Sequence, residues 1–176
     1  MSEVVETKRL FFALWPGNTL RKQLKVNLHN AKQHCEGRAL VPANLHMTLA
    51  FVGNVPANKI QELEGMADKV KMQPLSFMLD HSGYFKRPQV LWLGTHDVPQ
   101  ALTELSDTLV QGCRDCGYKM EDRPFRPHVT LMRKVKRHCP IDVMPVEWSA
   151  KEFVLVESCS TPGGVQYTVL KRWPAS

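Results

Sequence analysis

The stretch Asn44-Leu45-His46-Met47-Thr48-Leu49-Ala50-Phe51 holds a His-x-Thr tripeptide in an apolar run, and the pattern recurs at Arg126-Pro127-His128-Val129-Thr130-Leu131. The two histidines are 82 positions apart, and each has a proline four residues before it. Side chains alternate between the two faces of a strand, so residues i and i+2 point the same way. Each copy therefore predicts a strand that carries an imidazole and a hydroxyl on one face.

The duplication of the tripeptide is what points to function. A single His-x-Thr is an ordinary feature of a half-buried strand, whereas two copies with matching flanks favour a shared role. An imidazole titrates near neutral pH, and a threonine hydroxyl is a neutral hydrogen-bond donor. If the two strands face each other, one imidazole can take a proton while the other gives one, which suits acid–base chemistry on a phosphate ester.

Length and composition indicate one compact unit. The 176 residues, 43% of them hydrophobic, suit a single domain over 1–176, or two tightly fused half-domains. No run of about 18 apolar residues occurs, so we expect no membrane span. The polar start of the chain does not resemble a signal peptide, which favours a cytoplasmic protein. We take the chain to be a monomer.

The five cysteines form an odd and scattered set, unlike the disulfide framework of a small secreted protein. We therefore expect buried or unreactive thiols. Cys113-x-x-Cys116 allows a zinc or redox reading, but only His138-Cys139 could complete four zinc ligands.

Positive charge is concentrated around the second tripeptide. The net charge of the chain is +6, and between Lys119 and Arg137 seven basic residues face only two acidic ones. Such a stretch favours an anionic substrate, of which phosphate and nucleic acid are the obvious classes.

Hydrophobic periodicity and glycine or proline breaks predict the order of elements. They indicate strands over 9–15, 45–52, 75–79, 89–93, 128–132, 153–156 and 166–170, and helices over about 18–31, 57–72 and 99–116. We expect 75–79 and 89–93 to pair as a hairpin. Because a helix precedes a motif strand twice, the order favours an α+β fold with two pseudo-symmetric lobes, each with an antiparallel sheet and helices, around a central cleft.

Competing catalytic motifs are missing from the sequence. It has no Gly-x-Ser-x-Gly, no phosphate-binding loop and no His-Glu-x-x-His, and it has no carboxylate cluster of the kind that holds magnesium. The sequence therefore predicts chemistry that needs neither a metal nor a cofactor.

The paired motifs resemble the two signatures of the 2H phosphoesterase superfamily. The segments Arg9-Leu-Phe-Phe-Ala-Leu, Val90-Leu-Trp-Leu and Tyr167-Thr-Val-Leu-Lys-Arg-Trp-Pro resemble its bacterial branch, so the similarity covers nearly the whole chain. That branch comprises RNA 2′,3′-cyclic phosphodiesterases, also called 2′-5′ RNA ligases.

The resemblance implies a bilobal α+β fold and hydrolysis of a 2′,3′-cyclic phosphate to a 2′-phosphomonoester, with 2′-5′ joining of RNA ends without ATP as the related reaction. It implies that His46 donates a proton to the 3′ oxygen, that His128 accepts a proton from water, and that Thr48 and Thr130 bind the phosphate. The expected partners are RNA with 2′,3′-cyclic phosphate ends or small nucleotides, with no membrane and no metal.

Arg133 follows the second motif as an arginine does in related sequences, which implies a phosphate-binding role. Simple strand alternation would turn Arg133 away from His128, so this role requires a bulge or a strand end between them. The matching position after the first motif is Phe51, which cannot repeat that role.

Two other functions stay open: an RNA-binding module without turnover, and a related 2H enzyme acting on small cyclic nucleotides. For base stacking, the surface candidate is Tyr84-Phe85-Lys86-Arg87. The remaining aromatic candidates are expected in the core more than at the surface; they are Phe11, Phe12, Trp15 and Phe125.

Overall fold

The computed structural model describes residues 3–176 and contains three α-helices and ten strands in this range. The helices are α1 (Asn18–His34), α2 (Ile60–Asp68) and α3 (Gln100–Asp115). The strands are β1 (Thr7–Leu14), β2 (Arg38–Ala39), β3 (Met47–Pro56), β4 (Leu75–Leu79), β5 (His81–Phe85), β6 (Val90–Gly94), β7 (His128–Arg133), β8 (Val146–Ala150), β9 (Glu152–Thr161) and β10 (Gly164–Pro174). No helix in this range is long and apolar enough to cross a membrane.

Eight strands form one sheet in the order β10-β9-β1-β3-β7-β6-β5, with β2 also paired to β7, and β4 and β8 form a separate two-stranded sheet. Within residues 3–176, these strand pairs are antiparallel. The two motif strands, β3 and β7, are neighbours at the centre. Four strands, β10-β9-β1-β3, lie on one side of their junction, and three, β7-β6-β5, lie on the other together with β2.

The predictions of an α+β fold class and of antiparallel sheets are confirmed. The two halves of the large sheet are joined by a single recorded residue pair between the motif strands, Met47 with Val129. We expected each lobe to have a sheet of its own, whereas here the two halves continue into one sheet. The pseudo-symmetric bilobal arrangement itself stays a prediction.

The predicted hairpin between residues 75–79 and 89–93 is wrong. Strand β4 pairs with β8, and β6 pairs with β5, which the sequence analysis did not identify. Gly83 lies inside β5, and a Cβ there would come within 2.1 Å of the Trp92 ring, so this glycine makes room for an indole on the neighbouring strand.

The helices cover one face of the large sheet. Strand β1 turns Leu10, Phe12 and Leu14 into the main core, which also receives Leu24 of α1 and Leu105 of α3. This alternation is the period of two that a strand imposes. The opposite side of β1 carries a second, smaller apolar cluster, and the motif side chains lie on that side.

A segment without helix or strand, residues 134–145, connects β7 to β8 and is fixed to α1. Cys139 in this segment is bonded to Cys35, so the expectation of free thiols is wrong for these two cysteines. They are separated by 104 residues, and only the fold brings them together. Asn27, which is buried, donates to the Met144 carbonyl at 3.0 Å and accepts from the Met144 amide at 2.9 Å.

The other three cysteines are free thiols, as expected. Cys113 is buried on α3, and burial raises the pKa of its thiol to about 12, so it is not a reactive thiolate. Cys116 and Cys159 are half-buried.

Candidate active site

The four motif side chains lie on the two central strands and line one pocket. Met47 pairs with Val129 where the two strands meet, and both side chains are buried in the main core. The residues on either side of each member of this pair point to the opposite face, because side chains alternate along a strand. The two imidazoles and the two hydroxyls therefore share the face that opens into the pocket.

A bulge follows each motif and decides where the next polar side chain points. In β7, Trp92 pairs with Thr130 and Leu91 with Met132, so one residue, Leu131, is extra. Residues 131 and 132 are both buried, and the alternation resumes with Arg133 on the face of Thr130. The condition set by the sequence analysis is met, and Arg133 lines the same pocket as the motif residues.

The first motif strand has the same irregularity. Strand β1 pairs with Ala50 and Thr48 at successive residues, which leaves Leu49 extra. Residues 49 and 50 are both buried, and Phe51 then turns to the pocket with 45% of its surface exposed. The Arg9 guanidinium of β1 lies over the Phe51 ring, 4.9 Å from its centre, and also lines the pocket.

The backbone carbonyl of each bulged residue accepts a hydrogen bond from a group outside the strand pair that contains the bulge. The hydroxyl of Ser106, buried on α3, donates to the Leu49 carbonyl at 2.6 Å. The backbone amide of Leu40, just after β2, donates to the Leu131 carbonyl at 2.9 Å. Because an unpaired buried carbonyl is costly, these two bonds stabilise the bulges that turn Phe51 and Arg133 toward the pocket.

Both imidazoles are bound to the backbone in the same way. His46 Nδ1 is 2.7 Å from the Asn44 carbonyl, and His128 Nδ1 is 2.7 Å from the Arg126 carbonyl. A carbonyl oxygen only accepts, so both Nδ1 atoms carry a proton, and in each neutral ring Nε2 is the basic nitrogen. His46 Nε2 is 3.0 Å from Thr48 Oγ1, which donates to it in this state.

Aromatic rings surround His46 and make its charged form unfavourable. The rings of Phe11, Trp15 and Tyr167 have centroids 4.9, 5.4 and 5.1 Å from that of His46. Burial lowers the pKa of His46 to about 4, and the positive charges of Arg133, His128 and Arg21 act in the same direction. The hydrogen bond to the Asn44 carbonyl raises this pKa but does not compensate.

His128 has a similar but less complete surround. Phe85 contacts it edge-on, with 5.1 Å between centroids, and Trp92 lies 6.1 Å away. Burial lowers the pKa of His128, as does the nearby charge of Arg133, while the bond to the Arg126 carbonyl raises it. In the free protein both imidazoles are therefore biased toward the neutral form.

Arg21 of α1 fixes the loop that leads into the first motif. Its guanidinium donates to the carbonyls of Pro42, Leu45 and Pro16 at 2.6, 3.3 and 3.0 Å. It also lies 5.7 Å from the centre of the Trp15 ring. Three backbone contacts from one planar group hold the loop and β1 in a fixed relation.

The motif residues open into a pocket of about 730 Å³ whose charged lining residues are all basic. The four cations are Arg9, Arg38, Arg133 and Lys134. Of the seven basic residues between positions 119 and 137, only Arg133 and Lys134 line it, so most of that stretch is not at the pocket. Arg9 was missed because it lies far from both motifs in sequence, and Arg38 because the loop before the first motif gives no sign of which side chains face the pocket.

The aromatic lining agrees only in part with the sequence analysis. Phe11 and Phe85 line the pocket and were among the stacking candidates, whereas Phe51 and Tyr167 were not. Tyr84 instead donates a hydrogen bond to the Val135 carbonyl. The 45% exposure of Phe51 follows from the bulge, a feature that regular alternation does not predict.

Comparison with known proteins gives one family. Residues 19–157 match the model described as the 2′-5′ RNA ligase superfamily. The RNA 2′,3′-cyclic phosphodiesterase of Escherichia coli K12 is 35% identical, with 96% of this chain and 97% of that protein covered. The protein of the same name from Archaeoglobus fulgidus is 29% identical, with 93% and 98% covered. A crystal structure of E. coli LigT complexed with 3′-AMP has a TM-score of 0.87 and 32% identity, covering 97% of this chain and 99% of that one.

These matches agree with the paired motifs on adjacent strands and with the basic pocket in front of them. The family match spans both His-x-Thr tripeptides, and the full-length relatives cover nearly the whole chain. The chain belongs to the 2′-5′ RNA ligase superfamily of 2H phosphoesterases, the family that its motifs resemble.

Proposed function

We propose that this chain, as one domain over 1–176, is an RNA 2′,3′-cyclic phosphodiesterase that produces 2′-phosphomonoester ends without a metal. The observation that carries the proposal is the pair of imidazoles in one pocket, each with Nδ1 bound to a backbone carbonyl and Nε2 left for proton transfer. The names of the relatives from E. coli and A. fulgidus support the same activity.

In the proposed reaction, His128 Nε2 takes a proton from water as the water oxygen attacks phosphorus. The bond between phosphorus and the 3′ oxygen breaks, and His46 Nε2 gives a proton to that oxygen. The products are a 2′-phosphate and a 3′-hydroxyl. Thr48, Thr130 and Arg133 bind the non-bridging oxygens, on which negative charge increases as the water attacks.

For His46 to act as the proton donor, the bound substrate has to stabilise its charged form. With a pKa of about 4, nearly all His46 rings are neutral at pH 7 in the free protein. A bound phosphate brings negative charge beside the ring and offsets Arg133, so it stabilises the imidazolium. Once His46 Nε2 carries a proton, it no longer accepts a hydrogen bond from Thr48. The Thr48 hydroxyl then accepts from His46 Nε2 or donates to a phosphate oxygen.

RNA is the substrate class that the basic pocket supports. Four cations without a lining carboxylate attract a polyanion, and exposed aromatic rings such as Phe51 offer surfaces on which an unpaired base stacks. If a 5′-hydroxyl of RNA replaces water as the nucleophile, the same proton transfers give a 2′-5′ linkage without ATP. A cytoplasmic location and a monomeric state are parts of this proposal.

The test is hydrolysis of a nucleoside 2′,3′-cyclic phosphate and of a short RNA ending in one, both in excess chelator. We expect the 2′-phosphate as product, and a loss of about 10²–10⁴-fold in kcat for His46→Ala and for His128→Ala. His29→Ala is the matched control, because His29 is exposed on α1 and away from the pocket. Full activity in either pocket variant would refute the proposal.

The same assay separates the two alternatives. An RNA-binding module would retain the RNA without turnover of either substrate. An enzyme for small cyclic nucleotides would show equal kcat/KM for the mononucleotide and the RNA, which would leave the basic pocket walls without a role. We expect a higher kcat/KM for the RNA, and an advantage that decreases with added salt.

A further inference from the structure

A cluster of side chains that can bind a metal lies outside the candidate active site, and the proposed mechanism does not use it. Asp80, His81 and His96 each offer one ligand atom, and the three atoms lie within 4.8 Å of one another. We propose that they form a binding site for one Zn²⁺ ion, separate from the phosphoesterase pocket.

The backbone fixes these three residues before any ion binds. Asp80 is the single residue between β4 and β5, and its amide donates to the Gly94 carbonyl at 2.9 Å. His81 pairs with Gly94 in the ladder of β5 and β6. The His96 amide donates to Asp80 Oδ1 at 3.0 Å, which ties the loop after β6 to the same carboxylate. The backbone of the site is therefore fixed, whereas the two imidazole rings stack with centroids 3.9 Å apart and have to rotate before both can face one ion.

Two of the three contacts among these side chains are close in length to an edge of a coordination sphere, and the third separation is within 4.8 Å. Nδ1 of His81 and Nδ1 of His96 lie 3.1 and 3.0 Å from the same oxygen, Asp80 Oδ1. Two ligands on a tetrahedral zinc ion, at about 2.0–2.1 Å each, are about 3.3 Å apart. Moving each imidazole proton from Nδ1 to Nε2 frees both Nδ1 lone pairs for an ion without changing the charge of the rings.

The ligand set selects the class of ion. Two neutral imidazoles and one carboxylate suit Zn²⁺, and they leave a fourth position for water. Magnesium and calcium prefer oxygen ligands and would find only one side chain to bind. The cluster is accessible to ions, since 69% of the His96 side chain and about a third of the Asp80 side chain are exposed.

The proposed zinc site is close to β7, the strand that carries His128, but contains none of its residues. Trp92 lies between them, with its ring 5.6 Å from that of His81 and 6.1 Å from that of His128. An ion bound at the cluster therefore changes the surroundings of a tryptophan, which provides an optical signal. The sequence analysis gave no metal as an expected partner of this chain, and the proposed site departs from that expectation.

The test is titration of the untagged, metal-stripped protein with Zn²⁺ in a calorimeter, and with Co²⁺ for its visible absorption. We expect one ion per chain, and binding at least about tenfold weaker in His96→Gln and in Asp80→Asn, since even loss of a supporting hydrogen bond weakens metal sites by 10–100-fold. His29→Gln should bind like the wild type.

The pocket histidines are the competing location, so His128→Ala is titrated in parallel. Loss of binding in His128→Ala with full binding in His96→Gln would overturn the proposal, as would absence of saturable binding in the wild type. Because His96 is exposed, its replacement leaves the fold intact, which circular dichroism checks. The result does not depend on whether the chain is a phosphodiesterase, since no activity is measured.

Discussion

Lowering the pH should destabilise this protein in part through protonation of His46. Comparison with one variant of His46 should isolate this contribution. The pKa of His46 is about 4 in the folded chain and 6.5 when the ring is unperturbed, because its aromatic surround disfavours the charge. A depressed folded-state pKa means that the neutral ring contributes stability above pH 6.5, which is lost as the pH falls toward 4. The perturbation is therefore a change from pH 7 to pH 5, with His46→Gln as the comparison.

The magnitude follows from the two pKa values. The complete difference between pKa values of 6.5 and about 4 corresponds to about 3.5 kcal/mol at about 1.4 kcal/mol per pH unit. At pH 5 most of the unfolded chains hold a proton on this ring and most folded chains do not, so about 2 kcal/mol of the difference is lost. Glutamine cannot take up that proton, so the variant lacks this part of the pH dependence.

Urea unfolding at pH 7 and pH 5 measures the effect for the wild type, His46→Gln and the exposed-site control His29→Gln. We expect the wild type and the control to lose about 2 kcal/mol more between the two pH values than His46→Gln does. Equal losses in all three proteins would refute the reasoning. It would mean that the ring becomes charged in the folded state at little cost, and that a bound phosphate is not needed to make His46 a proton donor.

Three further predictions concern residues around the pocket. Arg133→Ala should lower kcat on a 2′,3′-cyclic phosphate by about 10²–10³-fold, and an unchanged kcat would remove it from the site. Ser106→Ala should lower the free energy of unfolding by about 1–3 kcal/mol, because it leaves the buried Leu49 carbonyl unpaired; urea unfolding measures this against Ser149→Ala in β8. Cys35→Ser should lower it by about 2–5 kcal/mol in oxidising buffer, and the difference from wild type should shrink in reducing buffer. Equal stability in oxidising buffer would argue against the bond between Cys35 and Cys139.

Local sequence patterns predicted most of the helices and strands, but they could not predict which distant strands pair with each other. Strand β4 was predicted with the bounds that it has, 75–79, because its apolar residues alternate. Its partner β8 has the same alternation, but no turn joins the two, so nothing local links them. Strand β5 was not predicted, since glycine weakens strands in general, whereas here Gly83 makes room for the Trp92 ring.

In the candidate site too, some features follow from the local sequence and others depend on residues that are distant in sequence. The same-face relation of His46 with Thr48, and of His128 with Thr130, follows from strand periodicity alone. Arg133 needed a bulge that regular alternation does not contain, and the sequence analysis could only state that condition. Arg9 comes from β1, and only the sheet order brings it beside the first motif strand.

The duplication is repeated in backbone geometry but not in chemistry. Both motifs have an Nδ1 bond to a carbonyl two residues back, and both are followed by a bulge, yet the bulge presents Phe51 on one side and Arg133 on the other. Neighbouring strands make the surroundings unequal: β1 and β10 enclose His46 in aromatic rings, and β5 and β6 contact His128. Two identical imidazoles would titrate together, whereas donor and acceptor must differ in charge at the moment of reaction. The flanking strands make the two rings unequal but keep the proposed donor, His46, neutral in the free protein, so its charge at the moment of reaction has to come from the bound phosphate.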